Sequence, residues 1–162
     1  MSVKISFKKL VPEAQLPTPG KPGDAAYDLY CLEEVTLQPG ETLGVRTGLQ
    51  LAYMDPEQGD SKLHLEIRGR SGKALQGVFP IGGVIDATYR GEIKVILHNG
   101  NPIYRDGHAL KGFARTPSIT FQAGDRIAQF TVVKTASNVE VSESDEVAET
   151  DRGSAGFGST GR

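Results

Sequence analysis

Short strand-like segments separated by turns constrain the fold of this chain more than any other feature of its sequence. They cover residues 3–7, 42–53, 62–68, 92–97 and 127–133, and the clearest of them alternate polar and apolar side chains. A period of two places one face of a β-strand inward and the other outward. Glycine and proline turns lie between the segments, and glycine accounts for 20 of the 162 residues. Many short strands with turns roughly ten residues apart predict an all-β sandwich or barrel.

Length, charge and cysteine content narrow the class of protein. A chain of 162 residues is expected to form one domain with its own core. The formal charge of −2 supplies no basic field for a nucleic-acid backbone, so no direct nucleic-acid binding is expected. Cys31 is the single cysteine, which excludes an intrachain disulfide and fits a reducing cytoplasm. Residues 1–7 do not resemble a signal peptide, and no apolar run reaches the ~18 residues that a membrane span needs.

Two segments lack the alternating polar and apolar pattern of the predicted strands. Residues 99–122 contain several turn signals and are interpreted as a long, insert-like loop. Residues 135–162 carry six acidic and two basic side chains and end in a glycine-rich stretch, which predicts a flexible C-terminal arm. The chain is therefore divided into a β domain over residues 1–134 and an arm over 135–162.

A cluster of arginines and glycines stands where a strand is expected to give way to a short helix. The sequence Arg68-Gly69-Arg70-Ser71-Gly72-Lys73 places planar guanidinium groups and free backbone N–H groups together, and both suit phosphate. The one predicted helix runs over residues 71–76, with Ser71 as its cap. The alternative interpretation is a capped helix whose basic residues are merely solvated.

The segment 82–91 has an unusual composition for a hairpin. Two glycines and an apolar pair precede Asp86, and Tyr89 follows three residues later. Asp86 at the end of an apolar run is a candidate buried base. The structural alternatives are an aspartate that hydrogen-bonds its own turn and a tyrosine that only packs.

Three weaker signals complete the set. Asp28 follows an aromatic residue, and Gln129 lies in an apolar strand where its amide needs partners. The tail over residues 152–161 combines glycines with an arginine, a phenylalanine and hydroxyls, which suit a phosphorylated aromatic ligand. The histidines lack the spacing of a zinc site, and no nucleophile motif is present.

In their order and number, these segments resemble the five motifs of the trimeric dUTP diphosphatases, or dUTPases. The matching segments are 25–29, 69–72, 83–91, 124–129 and 152–161, and the likeness spans residues 4–162. The resemblance implies a β jelly-roll subunit and a homotrimer with three active sites at subunit interfaces. It implies hydrolysis of dUTP to dUMP and pyrophosphate, which limits uracil in DNA and supplies dUMP for dTTP synthesis.

The resemblance also implies roles for the residues near the phosphates. Asp86 matches the aspartate that orients and deprotonates the attacking water. Asp28 matches a residue that supports the water shell of one Mg²⁺ indirectly, because phosphates and waters hold that ion in the family. The phosphate-binding turn comes from a neighbouring subunit and comprises Arg70, Ser71 and Gly72, while Gln129 lies near the phosphates and the water.

The remaining implied contacts belong to a hairpin, the strand after it and the arm. The backbone of the hairpin, at Gly83, Val84 and Ile85, forms hydrogen bonds with uracil. The Tyr89 ring packs under deoxyribose. Lys94, on the strand beyond, helps to close the pocket. In the arm, Arg152 contacts the γ-phosphate and Phe157 stacks on uracil as a lid. The residues that close on the phosphates are Gly158, Ser159 and Thr160.

The chain departs from the family pattern at several positions. Gly69 and Lys73 flank the second motif, where proline and an apolar residue are common, and Pro80 stands where a polar residue is frequent. The interval from Asp86 to Gln129 is long by roughly a dozen residues, as in viral and phage members. Residues 99–122 are thus a candidate surface for a protein partner. The expected location is the cytoplasm, or the host cytoplasm if the protein is virus-encoded. The alternative functions are dCTP deamination and a regulatory binding module without catalysis.

Overall fold

The fold was analysed in a computed structural model that describes residues 2–101 and 118–150. Nearly all of its regular structure is β, with a single short helix in this part of the chain. The elements, in chain order, are β1 (Ile5–Lys9), β2 (Thr18–Pro19), β3 (Tyr27–Tyr30), β4 (Val35–Leu37), β5 (Thr42–Met54), β6 (Glu57–Gln58), β7 (Ser61–Arg68), α1 (Ser71–Ala74), β8 (Val78–Pro80), β9 (Val84–Asp86), β10 (Glu92–Asn99), β11 (Ile119–Phe121) and β12 (Arg126–Ala136).

Three antiparallel sheets arise from these strands. The first has the order β1-β5-β10-β8, and the second, of two strands, is β11-β4. The third has the order β2-β3-β12-β7-β6, with β9 added on β7. Within the described residues the sheets remain open. The predicted all-β, jelly-roll-like class with one short helix is confirmed.

The core forms between the inward faces of the two larger sheets, as the alternation predicts. Along β7 and β10 every second residue is buried, while the residues between them are partly or fully exposed. The largest fully buried side chains come from both sheets and from β4 and β11: Leu29, Leu37, Leu49, Leu51, Met54, Leu65, Val78, Ile93, Val95, Leu97, Phe121 and Ile127. Burial of this apolar surface is the main stabilising term for such a domain.

The predicted helix over residues 71–76 is shorter in the structure, and its predicted cap is wrong. Arg70 has the extended backbone of the residue before a helix, and no side chain caps α1. Ser71 is the first helical residue. Gly77, with φ of 80°, ends this turn in a conformation that side-chain-bearing residues avoid.

The predicted loop over residues 99–122 begins and ends in strands. Asn99 closes β10, and its buried amide donates a hydrogen bond to the Leu37 carbonyl oxygen at 3.1 Å. Ile119 to Phe121 form β11, which pairs with β4. Phe121 at its end is completely buried. The central part, residues 102–117, lies outside the described residues.

The start of the predicted arm differs by two residues. β12 continues to Ala136, which pairs with Ser61 of β7. Residues 138–150 form no helix or strand and are exposed. Residues 151–162 lie outside the described part of the chain. No helix of the described residues is long and apolar enough to cross a membrane.

Candidate active site

A pocket of about 640 Å³ lies where β3, the start of β12 and the turn into α1 meet. The register of the central strand explains this meeting, because Gln129 of β12 lies opposite both Asp28 of β3 and Arg68 of β7. Directly paired residues of antiparallel strands point to the same face of a sheet. Asp28 and Gln129 therefore face one side together, and Arg70 joins them two residues after β7 ends.

We refer to this pocket as the phosphate pocket, after the residues predicted to bind phosphate that line it. Asp28 is its buried carboxylate, with a side chain only 6% exposed. The Arg70 Nε lies 3.0 Å from one of its oxygens, and the Arg126 Nη1 lies 3.3 Å from the other. A buried carboxylate is costly unless it is paired, and here both oxygens have a guanidinium partner. The pairing in turn fixes the two arginines at the wall of the pocket.

The phosphate pocket carries an excess of positive charge. Two carboxylates line it, those of Asp24 and Asp28, against four cationic side chains, those of Lys21, Arg70, Lys73 and Arg126. The balance is +2 in a chain whose formal charge is −2. A concave site with such a local excess attracts anions.

Three other residues predicted to bind phosphate line the same pocket. Ser71 and Gly72 are exposed, and none of the described residues accepts a hydrogen bond from their backbone N–H groups. The Gln129 amide nitrogen donates to the Gly69 carbonyl oxygen at 3.0 Å, which fixes the side chain and directs its oxygen elsewhere. The structure thus brings together five residues from three sequence motifs, namely Asp28, Arg70, Ser71, Gly72 and Gln129.

The hairpin around β9 depends on its two glycines. Gly82 and Gly83 have φ of 69° and 148°, a region that L-residues rarely adopt. A Cβ on Gly83 would lie 3.0 Å from the Ile67 carbonyl oxygen, so only glycine permits this close approach to β7. The Gly83 carbonyl oxygen accepts the Ile67 N–H at 2.8 Å, which sets the register of Val84 and Ile85 on β7.

Asp86 lies at the end of β9 and is exposed, so the expectation of a buried base is wrong for the single chain. Its carboxylate makes no hydrogen bond to any described residue, which also disfavours a merely turn-forming role. The turn is instead closed by the backbone, because the Tyr89 N–H donates to the Asp86 carbonyl oxygen at 2.9 Å. Tyr89 is 44% exposed, and its hydroxyl donates to the Glu92 carbonyl oxygen at 3.2 Å.

A second pocket, of about 680 Å³, lies beside this hairpin and is lined by Ile85, Tyr89 and Lys94 among others. Lys94 also lines an adjoining cavity of about 120 Å³ with Gly82, Gly83 and Val84. Lys94 therefore borders the hairpin, and its role in closing a substrate pocket stays a prediction. Neither of these cavities shares a lining residue with the phosphate pocket.

Side chains that the sequence did not single out hold the hairpin in place. The Arg90 guanidinium donates to the carbonyl oxygens of Ala87 and Tyr89 at 2.8 and 2.9 Å. The single Nε–H of Arg46 is shared between both Glu92 carboxylate oxygens, each 3.1 Å from the nitrogen, so β5 anchors the strand that follows the hairpin. Their signal in the sequence is only a charge within a turn or strand, which most surface residues share.

The single thiol lies outside both pockets. Cys31 is buried and its Sγ donates to the Glu33 carbonyl oxygen at 2.8 Å. Burial raises the pKa of this thiol, and the nearby Asp125 and Glu33 carboxylates add to that rise. Cys31 is therefore a protonated core residue rather than a nucleophile.

Comparison with known proteins shows the family of this chain. The sequence profile of the dUTPase family matches residues 12–161. The chain belongs to the dUTPase family. It is similar to the deoxyuridine 5′-triphosphate nucleotidohydrolase of Wolinella succinogenes, with 41% identity over 99% of this chain and 95% of that protein. The corresponding enzyme of Thermobifida fusca is 40% identical over 99% of this chain and 80% of its own length.

Solved dUTPase structures have the same fold. The dUTPase of Staphylococcus bacteriophage 80alpha in complex with dUpNHpp has a TM-score of 0.75 and 25% identity, and covers 98% of this chain and 99% of its own. A mutant dUTPase of phage phi11 of S. aureus, described with a structural Mg(II) ion, has a TM-score of 0.71 and 20% identity. It covers 90% of this chain and 99% of its own. The predicted family and the predicted class of nucleotide hydrolase are both confirmed.

Some of the predicted dUTPase site lies beyond the described residues, and some of the observed site was not predicted. The arm residues Arg152, Phe157, Gly158, Ser159 and Thr160 fall in 151–162, so their roles stay predictions. Conversely, Lys21, Asp24 and Arg126 line the phosphate pocket without having been assigned to it. Arg126 stands three residues before Gln129 in a matched motif, which is the one signal that could have identified it.

Proposed function

We propose that this chain hydrolyses dUTP to dUMP and pyrophosphate, with the triphosphate held in the phosphate pocket. The observation that carries the proposal is the convergence of three matched motifs on that one cationic pocket, in a chain about 40% identical to named dUTP nucleotidohydrolases. Fixed guanidinium groups and free N–H groups complement phosphate oxygens in number and geometry. Positioning and charge stabilisation supply most of the rate in phosphoryl transfer.

Asp86 acts as the base in this reaction. Its carboxylate takes a proton from a water molecule whose oxygen attacks phosphorus, the bond between the α- and β-phosphates breaks, and pyrophosphate leaves. An exposed carboxylate with no hydrogen bond to the described residues is available to orient a water. The short turn closed by Tyr89 and Arg90 fixes the backbone from which this side chain extends.

The hairpin provides selectivity for the base and the sugar. The backbone from Gly83 to Ile85 offers fixed donors and acceptors to uracil, and a base with the opposite pattern leaves them unpaired. The Tyr89 ring, whose hydroxyl is anchored at the Glu92 carbonyl oxygen, packs under deoxyribose and excludes a 2′-hydroxyl. Lys94 borders both cavities of the hairpin and closes the pocket from the side.

The donor set of the phosphate pocket fits Mg²⁺ held through water. No group of three or more His, Cys, Asp or Glu among the described residues is placed to bind a metal directly. A guanidinium occupies each Asp28 oxygen, but a carboxylate oxygen can accept a second hydrogen bond, for example from a metal-bound water. When bound to the phosphates, Mg²⁺ neutralises negative charge that develops in the reaction. Asp28 would orient its water shell and keep Arg70 in place.

A homotrimer with shared sites completes this proposal. The hairpin and the phosphate pocket share no lining residue, so Asp86 of one copy and Arg70 of a neighbour would form each site. Complementation tests this arrangement. Asp86→Asn and Arg70→Gln variants should each be nearly inactive. Subunits mixed at equal ratio by unfolding and refolding together should regain about a quarter of the wild-type activity, because random closed assembly pairs the two intact halves at about one site in four.

The control for complementation is a mixture of two variants that both belong to the phosphate pocket, Arg70→Gln and Gln129→Ala. They share one half of the site, so mixing cannot restore an intact pair and activity should stay at the level of the single variants. Equal recovery in both mixtures, or recovery in neither, contradicts sites shared between copies.

The substrate is tested by pyrophosphate release with Mg²⁺ from dUTP, UTP, dTTP and dCTP, each alone. Rapid release from dUTP only is the expected result, because the other three differ at the sugar or the base. Ammonia release from dCTP would instead favour a deaminase. A folded protein that is silent on all four nucleotides would favour the regulatory binding role. A partner at residues 99–122 stays a prediction, as do the role in limiting uracil in DNA and the cytoplasmic location.

A further inference from the structure

Lys73 occupies a distinctive position in the wall of the phosphate pocket. It lies in α1 directly after the Ser71-Gly72 turn and is half-buried. Its Nζ lies 4.6 Å from the centre of the Phe121 ring, which is completely buried. A cation over an aromatic face is held by the ring quadrupole, so the ammonium group is positioned rather than freely mobile.

Among residues 2–101 and 118–150, no carboxylate compensates the charge of Lys73. Arg70 and Arg126, the two guanidinium groups of the pocket, are both paired with Asp28. No carboxylate of the described residues lies within ion-pair distance of the Lys73 ammonium. The aromatic ring beneath it attracts the cation but carries no net charge. Among the described residues, Lys73 and the exposed Lys21 are therefore the two cationic side chains of the pocket that form no ion pair with a carboxylate.

We propose that Lys73 is a further substrate-binding residue, which contacts the phosphate chain of the nucleotide and makes the pocket selective for triphosphate over monophosphate. This inference rests on the proposed hydrolysis of dUTP. The ammonium group has three donors and suits phosphate as a point charge, whereas the arginines are oriented by Asp28. Selectivity follows because a triphosphate brings more negative charge into the pocket than a monophosphate does.

The test compares Lys73→Met with the wild-type protein. Methionine keeps the unbranched, apolar stem over Phe121 but removes the charge. Binding is measured by titration calorimetry with dUpNHpp and, separately, with dUMP. The expected result is a Kd for dUpNHpp raised about tenfold, with the Kd for dUMP changed less than about twofold. The difference from wild type should shrink as salt concentration rises, because ions screen a charge contact.

Two further variants serve as controls. Lys73→Arg keeps a cation and should retain most of the affinity for dUpNHpp. Lys134→Met removes the same charge from the exposed far part of β12 and should leave both Kd values unchanged. If Lys73→Met does not fold, Lys73→Gln replaces it in the same titrations.

Two results would overturn the inference: an unchanged Kd for dUpNHpp in the neutral Lys73 variants, or an equal loss of affinity for dUpNHpp and dUMP. Either result would leave the proposed function intact if the wild-type protein still hydrolyses dUTP. Conversely, a wild-type protein that binds dUpNHpp through Lys73 but releases no pyrophosphate would refute the proposed hydrolysis alone.

Discussion

Replacing Asp28 with asparagine tests whether the buried ion-pair cluster is a structural requirement of the phosphate pocket. The substitution keeps the size of the side chain and removes the charge that pairs with Arg70 and Arg126. Loss of one partner of a fully buried ion pair costs about 3–5 kcal/mol, because the other charge stays desolvated. Here the two arginine side chains are 27% and 49% exposed, so water recovers part of that cost. We expect a loss of about 2 kcal/mol in the free energy of unfolding.

The assay is thermal unfolding followed by circular dichroism, at one fixed protein concentration because assembly shifts Tm. For a domain of this length, about 2 kcal/mol lowers Tm by about 4–8 °C. Asp24→Asn is the matched control. Asp24 lines the same pocket, but its carboxylate accepts only the Lys21 backbone N–H, at 2.8 Å in an exposed turn. Its Tm should stay within about 2 °C of wild type.

A double-mutant cycle identifies the source of the loss. Arg126→Met should destabilise the wild-type protein by about 1 kcal/mol and the Asp28→Asn protein by clearly less, because the pairing is already gone. A Tm for Asp28→Asn within 2 °C of wild type would refute the reasoning, as would equal losses for Asp24→Asn. Additive effects of the Asp28 and Arg126 substitutions would show that the two groups do not interact.

Three other outcomes follow from the site and the strands. Asp86→Asn should bind dUpNHpp with unchanged Kd but lose about 10²–10⁴-fold in kcat, because the water loses its base; near-normal kcat would contradict the mechanism. Truncation after Asp151 should lower kcat/KM far more than Tm, since the removed segment has no strand pattern; a large fall in Tm would contradict this. Hydrogen bonds from the Lys4 N–H and the Tyr53 hydroxyl lower the pKa of Asp55 below 3.8. Because the pKa of Asp55 is lower in the folded than in the unfolded state, its carboxylate stabilises the fold at pH values above 3.8. Asp55→Ala should therefore lower the free energy of unfolding at pH 7, and by progressively less as the pH falls below 3.8. Urea titrations at several pH values measure this difference.

The five longest strands could be predicted because their signal is local. Alternation over seven residues fixed the inward face of β7, and burial every second residue confirms it. The end of α1 could not be predicted equally well, since helical propensity over residues 71–76 does not reveal that Gly77 adopts φ of 80°. The strand β11 was missed because three alternating residues are too short a pattern to stand out from a loop.

The site was predictable to the extent that its residues lie in contiguous motifs. Arg70, Ser71 and Gly72 follow one another, so a strand-to-helix turn brings them together without any knowledge of the sheet. The pairing of Arg126 with Asp28 is different, because the two residues are 98 positions apart. Only the register between β3 and β12 places them together, and no local pattern encodes that register.

The separation of the hairpin from the phosphate pocket is what the proposed sharing of each site between copies requires, because one chain would then carry two halves that do not meet. Asp28 pairs with two of the four cationic side chains of the phosphate pocket, which lets the two arginines stay close together. The hairpin is held by its own contacts with β5 and β7, independently of that pocket. Each of these two regions is therefore held in place within a single chain, and the proposed assembly of copies would need only to bring the two surfaces together. On this argument, weakening the contacts between copies should lower the number of competent sites without changing the rate at each site that remains.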